Sequence, residues 1–385
     1  SYGRRHMMAV ITSPQNHARL EELRATSVAL CGARVDEAAA EQLIENGRAV
    51  VWIDAGLHSN ESIAGQNIIE LVWQMASRND AEVLRILDEV VLLACPVNPD
   101  GLELVANAYA ATGSLDIPIL YQRFLGHDNN RDFYACNMVE TRNVSRVFFS
   151  DWRPQVVYNH HQTAPQGTVI FTPPFRDPFN YSADPGVMRG IDWVASSMNR
   201  RFASERKPGV ISRGGAPYSG WWNGGLRSTC YFHNVIGILT EAFGHPDPTR
   251  IVQSVDRRLT SGEYPDPVPT QVWHARQTVE YLQTANFAIL DHASRYRREL
   301  LRDIYRMGRN SIERGSRDHW TATPQLIAMA KAKIEAKEDG DTVFVDPSLR
   351  DPRAWILPAG QRDGAAALRM AQALQRSGVD VHVAK

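Results

Sequence analysis

The chain has 385 residues, 43% of them hydrophobic and 22% charged, which is enough for a sizeable core and more than one typical domain needs. A formal net charge of −1 offers no electrostatic footprint for nucleic acid or an anionic membrane, and no apolar run of roughly eighteen residues is present to span a bilayer. The four cysteines, Cys31, Cys95, Cys136 and Cys230, form no C-x-x-C pair, which argues against a thiolate zinc knuckle.

In chain order, an apolar strand is expected over 7–11. Ser13 and Pro14 then mark a helix start, a hydroxyl able to cap and a proline at the first helical position, with the helix running through Leu20, Leu23 and Val28. A second helix near 36–45 precedes a strand over 49–54. The segment 62–77 reads as a helix with Ile63, Ile68, Ile69, Val72 and Met75 on its apolar face, and 89–95 as a buried strand. Helix and strand in alternation argue for an α/β sheet with helices on its faces. Later strands are expected over 155–159, 168–172 and 235–240, with polar, Gly-rich connections over 106–130 and 209–227 between them. Long irregular loops of this kind are usually functional. A single helical pattern runs from Val272 to about Arg314, and 341–385 reads as strand, helix, strand. Three units are expected: a catalytic domain over 1–270, a helical linking or bracing segment over 271–338, and the opening of a second α/β domain over 339–385. The absent initiator Met and the strand expected at 379–383 suggest a fragment of a longer protein.

Several stretches combine metal-capable or carboxylate-binding side chains. Val50-Val51-Trp52-Ile53-Asp54-Ala55-Gly56-Leu57-His58-Ser59-Asn60-Glu61 is an apolar strand that ends in a turn and presents a His and a Glu three residues apart. Imidazole nitrogen and carboxylate oxygen are ordinary Zn²⁺ donors, although such a pair alone could equally be a surface turn. Val156-Val157-Tyr158-Asn159-His160-His161 is a second strand ending in such groups. Neighbouring residues on a strand face opposite ways, so at most one of His160 and His161 faces a common site. Asp128, Asn130 and Arg131 gather where a guanidinium could grip a carboxylate, or simply form a surface turn with an Asp–Arg pair. Asn98-Pro99-Asp100-Gly101 is a strong turn signal. Val235 to Glu241 is a strand that ends in a carboxylate. Desolvation there would raise the pKa of Glu241 and suit it to proton transfer near neutrality, unless it merely emerges at the surface.

The order strand–H-x-x-E, N-P-D-G, D-x-N-R, strand–His, strand–T-E resembles the zinc carboxypeptidase family over most of residues 1–248, including the opening Ser1-Tyr2-Gly3-Arg4. The resemblance implies a mixed, mostly parallel twisted central sheet with helices on both faces and the site at the ends of its central strands. It implies one Zn²⁺ per chain, held by His58, Glu61 and His161, with Asp128 orienting a ligand histidine. Asn130 and Arg131 would grip the substrate's terminal carboxylate, Tyr218 would lie over the substrate, and Glu241 would act as general base toward a metal-activated water. The implied activity is removal of the C-terminal residue from peptides that carry a free carboxylate. A periplasmic or extracellular location goes with it; the oligomeric state is not legible.

Three positions depart from the family pattern. Asn159 stands two residues before His161, where the family carries an acid. Asn60 lies inside the H-x-x-E segment where digestive relatives tend to carry Arg, and the nearest candidate for the oxyanion-stabilising Arg is Arg123. The segment 212–227 is rich in Gly and Trp, holds no Asp or Glu, and is expected to shape the specificity pocket without favouring basic side chains. Two other readings use the same residues: another zinc amide hydrolase acting on a cell-wall peptide, γ-glutamyl or N-acyl amino acid bond, and a silent peptide- or glycan-binding module. The intact set of His58, Glu61, His161 and Glu241 argues against the silent module.

Overall fold

In the computed structural model, which describes residues 3–115, 117, 121 and 124–383, strand formation follows the β-branched and aromatic runs. The strands are β1 (Ala9–Ile11), β2 (Ala49–Ala55), β3 (Val90–Pro96), β4 (Val156–His161), β5 (Ile170–Phe179), β6 (Val210–Arg213), β7 (Ser219–Gly220) and β8 (Ile236–Ala242), with a small antiparallel pair β9 (Thr249–Ile251) and β10 (Gln271–Trp273) outside the main sheet. The main sheet runs β1-β3-β2-β4-β8-β5-β6, with β7 added alongside β5. Its centre, β3-β2-β4-β8, is parallel; β1 joins β3 and β5 joins β8 antiparallel. This is the mixed, mostly parallel sheet expected.

Alternation along β2 builds two cores. Val51 and Ile53 pack with Leu71, Met75, Val187, Ile191, Leu282 and Ile289 on one face. Val50 and Trp52 pack with Leu23, Ile44, Val144, Leu301 and Ile304 on the other. Because both faces are covered, every residue of β2 is buried, as parallel strands require.

Helix boundaries differ from expectation where local chemistry intervenes. Ser13 caps only the short helix Pro14–His17, and a separate helix, Leu20–Gly32, follows. Helix Ser62–Ser77 has the expected bounds, but its buried stripe is Ile63, Ala64, Asn67, Ile68, Leu71 and Met75. Ile69 lies one position off that stripe and is 72% exposed. Asn98-Pro99 starts a helix, not a turn: Asn98 Oδ1 accepts from Gly101 N at 2.9 Å, Pro99 occupies the first turn, and Pro99–Thr112 takes up only the start of the loop expected over 106–130. The pattern from Val272 is two helices, Ala275–Arg295 and Arg297–Ser316, divided at Tyr296. The first packs against helices on one face of the sheet and the second against helices on the other, so together they brace both layers. Helix Pro185–Ser204, additional to the expected elements, contributes Val187, Ile191, Val194 and Met198 to the core. Near the C-terminus, residues 379–383 form no strand and pair with none among the described residues; helix Gly364–Arg376 buries none of its residues.

Candidate metal centre

The carboxyl ends of β2, β4 and β8 lie side by side, with Asp54 opposite Asn159 and His161 opposite Glu241 in register. Ligand sites in open parallel sheets form outside such strand ends. β2 leaves the sheet through Gly56, whose φ of +71° favours glycine, and a Cβ there would lie 2.9 Å from Leu102. The turn then presents His58 and Glu61 just before helix Ser62–Ser77.

His58, Glu61 and His161 converge. Each offers one donor atom, and these atoms all lie within 4.8 Å of one another. His58 Nδ1 is 3.1 Å from Glu61 Oε1, His161 Nδ1 is 3.1 Å from Glu61 Oε2, and the two Nδ1 atoms are 3.2 Å apart. A four-coordinate ion with bonds of about 2.0–2.1 Å spaces its donors roughly 3.3 Å apart, so the spacing suits zinc. His160 takes the opposite face of β4, as strand alternation dictates. It is fully buried, with Nδ1 at 2.6 Å from Asp54 O and Nε2 at 3.2 Å from Asn67 Nδ2.

Hydrogen-bond partners fix which nitrogen of each ring is free. His58 Nε2 lies 2.9 Å from Asp128 Oδ1 and donates to it, so Nδ1 carries a lone pair toward the centre. For His161 the assignment starts at Trp52, whose indole can only donate. Trp52 Nε1 donates to Asp54 Oδ2 (2.6 Å), and Asn159 Nδ2 donates to Asp54 Oδ1 (2.5 Å). Asn159 therefore presents its oxygen to His161 Nε2, at 2.5 Å, and His161 Nδ1 is also left as a lone pair. Two lone pairs and a carboxylate aimed at one point call for a cation. Burial disfavours a charged His58, but hydrogen bonds and charge from Asp128 and Glu61 outweigh it and raise its pKa to about 10, so a metal would take the place of a proton on Nδ1. Burial likewise opposes ionisation of Asp128, yet His58 draws its pKa down to about 2. The donor set and its supports thus fit a zinc ion.

Glu241, at the end of β8, is 7% exposed. Burial raises its pKa, opposed by the charge of His161, while its Oε2 accepts from Thr163 N at 2.7 Å. Tyr218 lines the same cleft and donates to Thr163 O at 2.7 Å. Asn130 is buried, with Oδ1 accepting from Leu226 N (2.8 Å) and Nδ2 lying 3.2 Å from His161 Nε2. Arg131 stands at the rim, its side chain 53% exposed, 3.8 Å from Asp128. These groups border one cleft of ≈ 240 Å³. Arg123 lies outside the described residues.

Asp54, Thr163 and Arg227 lie outside the motifs that the sequence displays. Asp54 did carry a signal: a carboxylate inside the apolar run from Val50 to Ala55 is costly unless paired. Burial pushes it up to about 7, opposed by the Trp52 and Asn159 hydrogen bonds. Thr163 acts through its backbone, which side-chain motifs cannot reveal.

The chain belongs to the zinc carboxypeptidase family, whose profile matches residues 1–349. No curated protein matches the sequence. Among solved structures, it is similar to a metallo-carboxypeptidase from Pseudomonas aeruginosa in complex with (2-guanidinoethylmercapto)succinic acid, at 16% identity and TM-score 0.47, over 66% of this chain and 59% of that one. It is also similar to a metallo-carboxypeptidase from Burkholderia cenocepacia (14% identity, TM-score 0.43, 65% and 58% covered). A third is thrombin activatable fibrinolysis inhibitor (15% identity, TM-score 0.43, 65% and 63% covered). The chain thus spans less than two thirds of the length of each of these proteins. Among the described residues no helix is long and apolar enough to cross a membrane.

Proposed function

We propose that the protein is a zinc-dependent carboxypeptidase that removes the C-terminal residue of peptides. The observation that carries this reading is the convergence of His58, Glu61 and His161, each ring aimed by its own hydrogen-bond partner, beside a buried carboxylate in a family of zinc carboxypeptidases. His58, Glu61 and His161 would hold one Zn²⁺, which when bound polarises the scissile carbonyl and makes water nucleophilic near neutrality.

The remaining work falls to the chain's own groups. Glu241, its Oε2 held by Thr163 N and its pKa raised by burial, accepts a proton from the attacking water and returns it to the leaving amine. Asn130 and Arg131 at the cleft wall receive the substrate's α-carboxylate, so that only the last peptide bond reaches the reacting centre. Tyr218 covers the bound residue from the facing loop. Asp128 and Asn159 keep the ligand imidazoles in the required tautomer.

The test pairs elemental analysis with C-terminal release from a mixed peptide library. About one zinc per chain, with stepwise trimming that Glu241→Gln abolishes, is the expected result. Zinc without trimming would favour the related amide hydrolases or a silent binding module; absence of zinc would overturn the ligand assignment.

A further inference from the structure

One buried cation in the cleft is not used by the chemistry above. Arg227 is 9% exposed and borders the same ≈ 240 Å³ cleft as His161 and Glu241. It sits in the short helix Leu226–Thr229, whose backbone presses so closely on β8 that a Cβ at Gly237 would lie 2.0 Å from Arg227 O. Glycine at 237 thus lets this helix seat against the strand that carries Glu241. The guanidinium stacks 3.8 Å from the Phe175 ring centroid, donates to Ser219 O at 2.7 Å and donates to the Tyr231 hydroxyl. Two of its five N–H protons are thereby accommodated, both by neutral acceptors.

No carboxylate among the described residues forms an ion pair with it, and the only acid bordering the cleft is Glu241, which is occupied with Thr163 N. A guanidinium cannot shed its charge as a lysine can, so burying it without an anion is costly unless a guest supplies one. Arg131 at the rim can take the substrate's α-carboxylate. Arg227 is then a second cation deeper in the cleft, held by Phe175, Ser219 and Tyr231.

We propose that Arg227 pairs with a side-chain carboxylate, making this protein selective for peptides that end in an acidic residue, Glu or Asp. The inference rests on the carboxypeptidase reading and deepens it. A planar fork facing a carboxylate gives two parallel hydrogen bonds, and a site built to make them rejects an isostere that cannot.

The experiment uses the zinc-loaded protein and four peptides that differ only in their last residue: Glu, Gln, Leu or Lys. Expected is a kcat/KM for Glu at least about 100-fold above that for Gln. In Arg227→Gln the loss on Glu should exceed the loss on Leu by at least about 30-fold, and Arg227→Lys, which keeps the charge but not the fork, should recover part of it. Equal rates for Glu and Gln, or one common factor lost on all four peptides, would overturn the proposal; a common factor would mean that Arg227 holds the α-carboxylate or only supports the loop. Calorimetric binding of N-acetylglutamate against N-acetylglutamine reads the same pocket without turnover. Preference for N-acetylglutamate, lost in Arg227→Gln, sustains the acidic pocket even if no peptide is cleaved, in which case the peptidase reading fails alone. Cleavage without acidic preference leaves the peptidase reading standing and removes this one.

Discussion

Asn159 Nδ2 donates to Asp54 Oδ1 at 2.5 Å across the β2–β4 pair, while the other end of the same amide holds His161. The family's acid at position 159 is replaced by an amide, but a carboxylate stands one hydrogen bond further back, on the neighbouring strand. Asp54 therefore orients His161 through Asn159.

That relay predicts a specific pattern. Asp54→Asn leaves either Trp52 Nε1 or the Asn159 amide without an acceptor, and loosening such a support lowers metal affinity by roughly 10–100-fold. Asn159→Asp alone sets two buried carboxylates against each other and should destabilise the fold. The double variant Asp54→Asn/Asn159→Asp restores one charge and its donors, and should recover affinity relative to either single change. Chelator competition for zinc, with thermal melts, reads all three. Tighter zinc binding by Asn159→Asp with no loss of melting temperature would refute the relay.

His160 and His161 are adjacent but face different neighbours. His161→Ala should abolish zinc binding with the sheet intact. His160→Ala should keep stoichiometric zinc yet lose roughly 1–3 kcal/mol of stability, because the Asp54 carbonyl and Asn67 amide lose a buried partner. Elemental analysis and urea unfolding separate the two; zinc loss in His160→Ala with full retention in His161→Ala would reverse the assignment.

Glu241→Gln keeps the shape and the Thr163 N–H contact but cannot accept a proton. Zinc content should be unchanged and kcat should fall by about 10²–10⁴. A variant with near-normal kcat would remove Glu241 from the proton-transfer role.

Acid sensitivity should arise away from the site as well. His292 is 1% exposed, has Nδ1 2.7 Å from Ser197 Oγ, and has no partner for Nε2 among the described residues. Burial lowers its pKa to about 4, only partly opposed by Asp291. The unfolded chain takes up this proton near pH 6.5, so the stabilising contribution is complete above about 6.5 and lost as pH falls toward 4. At pH 4.5 the loss from this group is about 2 kcal/mol. His292→Leu should therefore lose less stability than wild type between pH 7 and pH 4.5 by about that amount, measured by urea unfolding. Parallel losses in both proteins would count against it.

Much of this was legible because strand ends are punctuated strongly. Val50 to Ala55 and Val156 to Tyr158 announce buried strands, and alternation alone sets His160 and His161 on opposite faces. Helix Ser62–Ser77 was legible from its period, but Ile69 was misassigned because apolar character does not report the angle around a helix. Asn98-Pro99 is ambiguous by nature: the residues that make a turn also cap a helix. Arg227 was hidden for a different reason. Its burial depends on Gly237 and Phe175, far apart in sequence, and no local pattern marks a long-range fit.

The most direct test of the central claim is mass spectrometry of two peptides identical except for the C-terminus, one a free acid and one an amide, incubated with the zinc-loaded protein. Loss of a single C-terminal residue from the free acid, with the amide cut at least about 100-fold more slowly and both reactions abolished in His161→Ala, is the expected result. Equal cleavage of both peptides, internal cleavage, or no cleavage by zinc-loaded protein would contradict it.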